Sequence, residues 1–442
     1  MKRHCKTLLF ITLLISFSFG LYAQDKTKEL DEKERTKVIK SISRLLKANY
    51  IYPEVADKMA TLIETNLKDG KYQLIIQPDK YANVLTEDLQ SVSNDKHLRV
   101  IFNPEDSKKQ QNVVNPADSS HFFYSPGEQM KRDNFGFKEV KILDGNIGYL
   151  DLRSFTDTLF AGKTAVAAMN YLSHTDAVII DLRNNGGGSA SMIQLIISYF
   201  YTSEPVHLND FYWRPTDKHA QSWTFPSVPG NRRPDIDVYV LTSRSTFSAA
   251  EEFAYDLKNL KRATLVGETT GGGAHPGGIA GVSERFSIWI PSGMAINPIT
   301  HTNWEGVGVE PDIKTTKEDA LYTARIKALE MLKGKSNVEK IKQYYDWYIA
   351  SLNFTKNAFT IDSLKLQEYV GKYGFRTLTV EDGKLFGWDS GNKFELYPLE
   401  QDLFGVKEML NLRVQFVRQN NTVSALKILF DFGNNVEFLK EN

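Results

Sequence analysis

The stretch Ala177-Val-Ile-Ile-Asp-Leu-Arg-Asn-Asn-Gly-Gly-Gly-Ser189 limits what this chain can fold into more than any other part of it. Its apolar start reads as a buried strand, and three consecutive glycines then turn the chain with no Cβ in the way. A helical pattern runs on from Ser189 to Phe200. A buried strand that feeds a helix through a bare turn is the unit of an α/β core. The turn also presents backbone N–H groups, which suits an oxyanion or a phosphate equally well, or serves simply as a tight turn. No Gly-Lys-Ser/Thr comes after it and the Gly-x-Gly-x-x-Gly spacing is absent, so neither nucleotide motif is met.

The same alternation extends from Asn134 to about Lys333. Ile147 to Leu152, Ala177 to Leu182, Val238 to Thr242, Thr264 to Val266 and Phe286 to Ile290 are expected to be strands, and Ala249 to Leu260 a second helix. Before this core, Val38, Ile39, Ile42, Leu45 and Leu46, then Met59, Leu62, Ile63 and Leu67, recur at helix-face spacing, which predicts a helical N-terminal domain over 25–103. Residues 104–133 have the Pro, Ser, Asp, Gln and Lys content of a connecting loop. After a core over 134–334 comes a helical linker, 335–356, with the periodicity interrupted at Gly334. Short alternating strands with turn pairs at Asp382-Gly383, Ser390-Gly391 and Asn420-Asn421 then predict a small all-β domain over 357–442.

A second constellation lies at Leu241-Thr-Ser-Arg-Ser-Thr-Phe-Ser-Ala-Ala-Glu-Glu-Phe-Ala-Tyr255, where a strand ends, a short turn intervenes and a helix begins at Ser248. Free N–H groups and the helix dipole lower the energy of negative charge there. By itself the position is also that of an ordinary N-cap, the commoner fate of a serine before a helix.

Three segments in order carry a resemblance that changes this balance. Ser248-Ala-Ala-Glu251 with Gly267-Glu268-Thr-Thr-Gly-Gly-Gly273, Asp181-Leu-Arg-Asn-Asn-Gly-Gly-Gly188, and Trp304-Glu-Gly-Val-Gly-Val-Glu-Pro-Asp-Ile313 resemble the active-site stretch, oxyanion loop and closing strand of the tail-specific, or carboxyl-terminal processing, serine peptidases. The resemblance implies an α/β fold with the ββα spiral core shared with crotonases and Clp-type peptidases, and Ser248 as nucleophile. It implies oxyanion donors at Ala249 and among Gly186, Gly187 and Gly188. Members with a Ser/Lys dyad carry lysine where this chain has Gly273, and many insert a PDZ domain for which 104–133 leaves no room. The helical segment before the core resembles the N-terminal domain of the branch that includes interphotoreceptor retinoid-binding protein, and both departures resemble instead the tricorn-like branch. That branch implies His97 as the base and Glu305 as its orienter or electrostatic partner, with His275 as a rival base close to the missing lysine. A serine hydroxyl needs such a base to be an effective nucleophile, and histidine serves near neutral pH.

Other classes fit less well. Lys plus Arg equals Asp plus Glu at 54 each, so no net charge favours a nucleic-acid partner. No His-Glu-x-x-His pair or Cys/His cluster has metal-ligand spacing among the eight histidines, so no metal and no cofactor is expected. Lys2, Arg3 and Lys6, an apolar run from Leu8 to about Leu21 and the small or polar Ala23-Gln24-Asp25 have the order of a secretory signal peptide over 1–23, and no other segment is long enough to span a membrane. The only cysteine, Cys5, precedes the apolar run, so no disulfide framework is expected in the mature chain. The expected protein is thus an exported, periplasmic or extracellular peptidase acting on a peptide or protein. The alternative is a non-catalytic ligand- or peptide-binding protein on the same fold. The aromatic group Phe211-Tyr-Trp-Arg214 with Trp223 lines a groove or fills core, and Arg183 meets either a structural acid or a substrate carboxylate. Neither the oligomeric state nor the role of the β domain is written in the sequence.

Overall fold

The computed structural model describes residues 29–103, 126–357, 359–407, 409–431, 433 and 435–441. The signal-peptide expectation, 1–23, lies outside them, as does most of the connection expected at 104–133.

Three helices open the described chain: α1 (Glu32–Asn49), α2 (Pro53–Lys68) and α3 (Pro78–Ser93). Asp31 caps α1 by accepting the Glu34 N–H at 2.8 Å, and proline at the start of α2 and α3 supplies a preset φ where no N–H is needed. Val38, Ile39 and Ile42 of α1, Met59 and Ile63 of α2 and Leu85 of α3 meet in one core. Asn94 ends α3 in the left-handed region (φ 55°) and reverses the chain towards β1 (Arg99–Phe102). A further helix, α4 (Pro126–Arg132), lies inside the stretch expected to be loop.

The central portion contains β2 (Phe137–Leu143), β3 (Ile147–Leu152), α5 (Thr158–Tyr171), β4 (Ala177–Asp181), α6 (Ala190–Ser198), β5 (His207–Trp213), β6 (Lys218–Trp223) and β7 (Asp237–Thr242). It continues through α7 (Ala249–Asn259), β8 (Thr264–Gly267), β9 (Gly277–Gly281), β10 (Phe286–Pro291), β11 (Gly293–Ile296) and β12 (Ile313–Lys314). A six-stranded sheet in the order β12-β8-β7-β4-β3-β2 forms its centre. All its pairings are parallel except β2 with β3. Alternation along the strands divides the apolar residues between two layers. Leu150, Val178, Ile180, Val238 and Val240 pack under α5, α6 and α7, whereas Tyr149, Ile179, Tyr239 and Leu241 face the other way. This is the expected mixed α/β core.

Two boundaries differ from expectation because packing crosses them. The strand β1 pairs antiparallel with β10, Arg99 opposite Trp289, and Phe286, Ile288 and Ile290 belong to the same core as the three N-terminal helices. After the sheet, α8 (Ala320–Lys335) runs through Gly334 unbroken and α9 (Glu339–Lys356) comes next. Both cover the second face of the sheet, with Ala324, Ala328, Tyr345 and Tyr348 in that layer, so 335–356 is part of the core rather than a linker.

Beyond α10 (Ser363–Leu366) lies an eight-stranded antiparallel meander: β13 (Gly371–Tyr373), β14 (Arg376–Glu381), β15 (Lys384–Asp389), β16 (Asn392–Glu400), β17 (Leu403–Val406), β18 (Met409–Gln419), β19 (Thr422–Phe430) and β20 (Asn435–Leu439). A bridge between Tyr373 and Lys440 brings its two edges together into a near-barrel. Each of the three turn pairs read from sequence forms a two-residue hairpin loop with φ positive at both positions. That is the twist-matched turn that favours Asn, Asp and Gly.

Candidate active site

Ser248 stands at the junction of a strand-turn-helix, between β7 and α7, with φ 56° and ψ −124°. A residue with a side chain rarely holds these angles, at a cost of about 1–3 kcal/mol. Ser248 occupies the N-cap position of α7, but not with the dihedrals of an ordinary N-cap. An N-cap has extended dihedrals and a side chain bonded to the helix N–H groups. Ser248 and Glu251 nevertheless stand in the reciprocal arrangement of a capping box, in which Glu251 reaches back to the Ser248 N–H. The strained turn is held from behind by the buried carboxylate of Glu251. That carboxylate accepts the N–H of Ser248 (2.9 Å), Gly272 (2.6 Å) and Gly273 (2.8 Å), and also the Thr270 hydroxyl. One side chain thus fastens the serine to the Gly271–Gly273 stretch.

The glycine turn after β4 lies directly against this junction because β4 and β7 are neighbours in the sheet. The Phe247 N–H donates to the Asn185 carbonyl (3.0 Å) and the Thr246 hydroxyl to that of Leu182 (2.7 Å). A Cβ on Gly187 would come within 2.7 Å of the Ser248 Cβ, so only glycine allows this approach. Of the expected oxyanion donors, Gly187 already gives its N–H to Asn185 Oδ1 (2.8 Å). The N–H groups of Gly188 and Ala249 are engaged by no partner among the described residues, and both residues border the same cavity as Ser248, which Gly186 does not. Arg183 pairs with Asp181 (2.6 Å) and donates to the Lys317 carbonyl (2.6 Å), which makes it a structural residue.

His97 reaches the site from the N-terminal region through the turn between α3 and β1. Asp95 Oδ1 accepts the His97 N–H (3.0 Å), and the β1–β10 pairing anchors the chain immediately after the histidine. The imidazole is mostly buried, packs on the Phe247 ring at 4.5 Å and has neither ring nitrogen hydrogen-bonded among the described residues. Burial pushes it down to about 4, with the nearby Asp95 carboxylate pulling the other way. It is therefore neutral at pH 7 with a lone pair available. A Cβ at position 273 would already lie 2.7 Å from His97 Cε1 and closer still to Phe247, so the two rings together leave no room for a side chain there.

His275 and Glu305 form a second cluster. His275 Nδ1 lies 2.9 Å from Asp95 Oδ2 and 3.5 Å from Glu305 Oε2, and its Nε2 is 3.4 Å from the Tyr52 hydroxyl. Glu305 is thus placed on His275, and Asp95 is the carboxylate beside His97 (3.9 Å). Burial, reinforced by Asp95, raises the Glu305 carboxyl to about 7, although it accepts the Ala274 N–H at 2.5 Å. Asp95, His275 and Glu305 hold their ligand-type atoms within 4.8 Å of one another, a grouping that sequence spacing missed because it comes from three distant segments. The 2.9 Å contact is that of a hydrogen bond, with His275 donating from Nδ1 to Asp95.

Ser248, His97, Gly188 and Ala249 border one cavity of about 340 Å³, whose walls include Phe211, Trp213, Trp289 and Trp304. The aromatic group expected either to line a groove or to fill core contributes to this wall through Phe211 and Trp213. His275 is not among the lining residues.

With this geometry in place, comparison with known families is direct. The model of peptidase family S41 matches residues 146–315, and that of the N-terminal domain of S41 peptidases in eukaryotic IRBP matches residues 30–132. The chain belongs to peptidase family S41. A carboxy-terminal-processing protease of Bartonella bacilliformis is 26% identical over 187 residues, 41% of this chain and 42% of that one. The carboxy-terminal processing protease CtpB of Bacillus subtilis is 23% identical over 207 residues, 46% of this chain and 41% of that one. The chain thus spans about two fifths of the length of the curated relatives it matches. Among solved structures, mature CPAF superposes with a TM-score of 0.46 at 13% identity over 68% of this chain and 97% of that one. A lipoprotein from Streptococcus agalactiae gives 0.45 at 14% identity over 67% and 96%.

In this S41 chain the residues that sequence reading missed are those acting through others. Asp95 is two residues before His97, and its Asx-type bond to the His97 N–H is the local signal that it orients the turn. Glu251 was visible as part of the Ser-Ala-Ala-Glu motif, but its partners at Gly272 and Gly273 come from a segment about twenty residues away.

Proposed function

We propose that this chain is an exported serine-type peptidase that hydrolyses peptide bonds through an acyl-enzyme on Ser248. The observation that carries the reading is that Ser248 and His97 border one cavity, with neither ring nitrogen of His97 hydrogen-bonded among the described residues. His97, neutral at working pH, takes the Ser248 proton as the oxygen attacks the substrate carbonyl. Catalytic hydrogen bonds of this kind tighten when substrate fills the site. The tetrahedral oxyanion is received by the N–H groups of Ala249 and Gly188, each worth about 3 kcal/mol in the transition state. His97 then protonates the leaving amine, and a water activated the same way hydrolyses the ester.

Asp95 stabilises the imidazolium that forms during transfer, since its negative charge favours protonated His97. Glu305 acts one step further out, through His275 and Asp95. His275 suits a positioning role better than that of base, with both nitrogens engaged. Export rests on the charged, apolar and small-residue order of residues 1–25.

The test is Ser248→Ala with a peptide substrate. Hydrolysis should disappear while the thermal transition stays within a few degrees, because the substitution removes one hydroxyl and leaves the Glu251 bond to the backbone N–H of residue 248 in place. Retained hydrolysis by the folded variant would refute the assignment.

A further inference from the structure

Glu252 and Asp256 are buried on α7 just beyond the nucleophile, and neither takes part in the proposed acyl transfer. Glu252 lies one helical turn after Ser248 and borders the same cavity. It is 5% exposed, and its Oε1 has no hydrogen-bond partner. Asp256, one turn further, is fully buried, with Oδ2 equally unpartnered. Burial raises both carboxyls, Asp256 further because of the Glu252 charge, with Asn209 and Asn297 offsetting part of the cost. Two buried acids four residues apart, with no cation among the groups acting on them, destabilise the folded chain.

The cavity above Glu252 offers what would compensate for that cost. Its walls are the rings of Phe211, Trp213, Trp289 and Trp304, which suit an aliphatic stem and attract a cationic head. Glu252 borders it together with Ser248 and Ala249. Resting on the peptidase reading of Ser248, we propose that this cavity receives the side chain of the residue whose carbonyl is attacked, that this side chain is lysine or arginine, and that Glu252 determines the preference.

The test uses matched peptides that differ only at that residue (Lys, Arg, Gln, Leu or Ala), with fluorophosphonate labelling of Ser248 run in parallel because the probe carries no side chain for the cavity. The full-length protein should show a kcat/KM for Lys or Arg at least roughly tenfold above that for Gln, Leu and Ala. Glu252→Gln should remove most of that advantage while the variant still labels at Ser248. Butylguanidinium should slow labelling of the unaltered protein by occupying the cavity, which keeps the idea testable if the variant fails to fold. Preference of the unaltered enzyme for Leu, Ala or Gln, or a basic preference that survives in a labelling-competent Glu252→Gln variant, would overturn the proposal and leave the peptidase reading standing. Absence of both labelling and cleavage would overturn the two together.

Discussion

Ser248, the proposed nucleophile, is set apart by two backbone angles. At φ 56° and ψ −124° it departs from the extended dihedrals of an ordinary N-cap, and the strain is sustained by the Glu251 bonds behind it. His97 is its counterpart, a buried imidazole with no fixed partner, and its surroundings set its pH behaviour. Burial lowers its pKa, so the neutral, proton-accepting form persists to lower pH than for a free histidine. The rate should fall as pH drops through the folded value, placing the acid limb of kcat/KM below about 6.5. Asp95 opposes that shift, so Asp95→Asn should move the limb further down and slow acylation. Glu305→Gln should move it less, because Glu305 is not among the charges acting on His97. A limb that shifts with Glu305 and not with Asp95 would reverse their roles.

At the level of elements, most of the fold is legible in the sequence. Runs such as Val178 to Ile180 and Val238 to Thr242 identify parallel strands, and the turn pairs at 382–383, 390–391 and 420–421 identify hairpins, because each rests on a local conformational rule. The pairing of β1 with β10, the helix within 126–132 and the hairpin of β5 with β6 were not legible, since nothing local to Arg99–Phe102 announces a partner nearly two hundred residues away. The site divides the same way. Ser248 and the glycine turn stand in sequence motifs and His97 came only through the family resemblance, whereas the Asp95–His275–Glu305 cluster exists only once three segments meet. Glu251 joins two elements, which gives its prediction. Glu251→Gln replaces one acceptor oxygen with a donor facing N–H groups, so it should cost about 1–3 kcal/mol of stability. It should also slow Ser248 labelling more than it weakens peptide binding. Full stability by thermal unfolding would show that the bonds at Gly272 and Gly273 are dispensable.

Across the whole molecule, the site sits where the N-terminal region and the sheet core come together, His97 arriving from the first and Ser248 from the second. The C-terminal near-barrel joins from the opposite face of the sheet, through α9. Arg413 stacks on Trp347 at 3.8 Å and donates to the Trp347 carbonyl and the Ser351 hydroxyl, and the Tyr348 hydroxyl donates to Asp431. Arg413→Ala should therefore lower the thermal transition, by about 2 kcal/mol of stability, with Ser248 labelling at room temperature unchanged. Among the described residues, none of those bordering the cavity lies beyond Trp304.

The central claim, that His97 activates Ser248, is tested most directly by the rate at which a fluorophosphonate modifies the protein, with the adduct mapped by peptide mass spectrometry, in the unaltered chain and in His97→Ala. A single adduct on Ser248 is expected, formed at least roughly a hundredfold more slowly in the folded His97→Ala variant. Labelling of another residue, or an undiminished rate at Ser248 without His97, would contradict it.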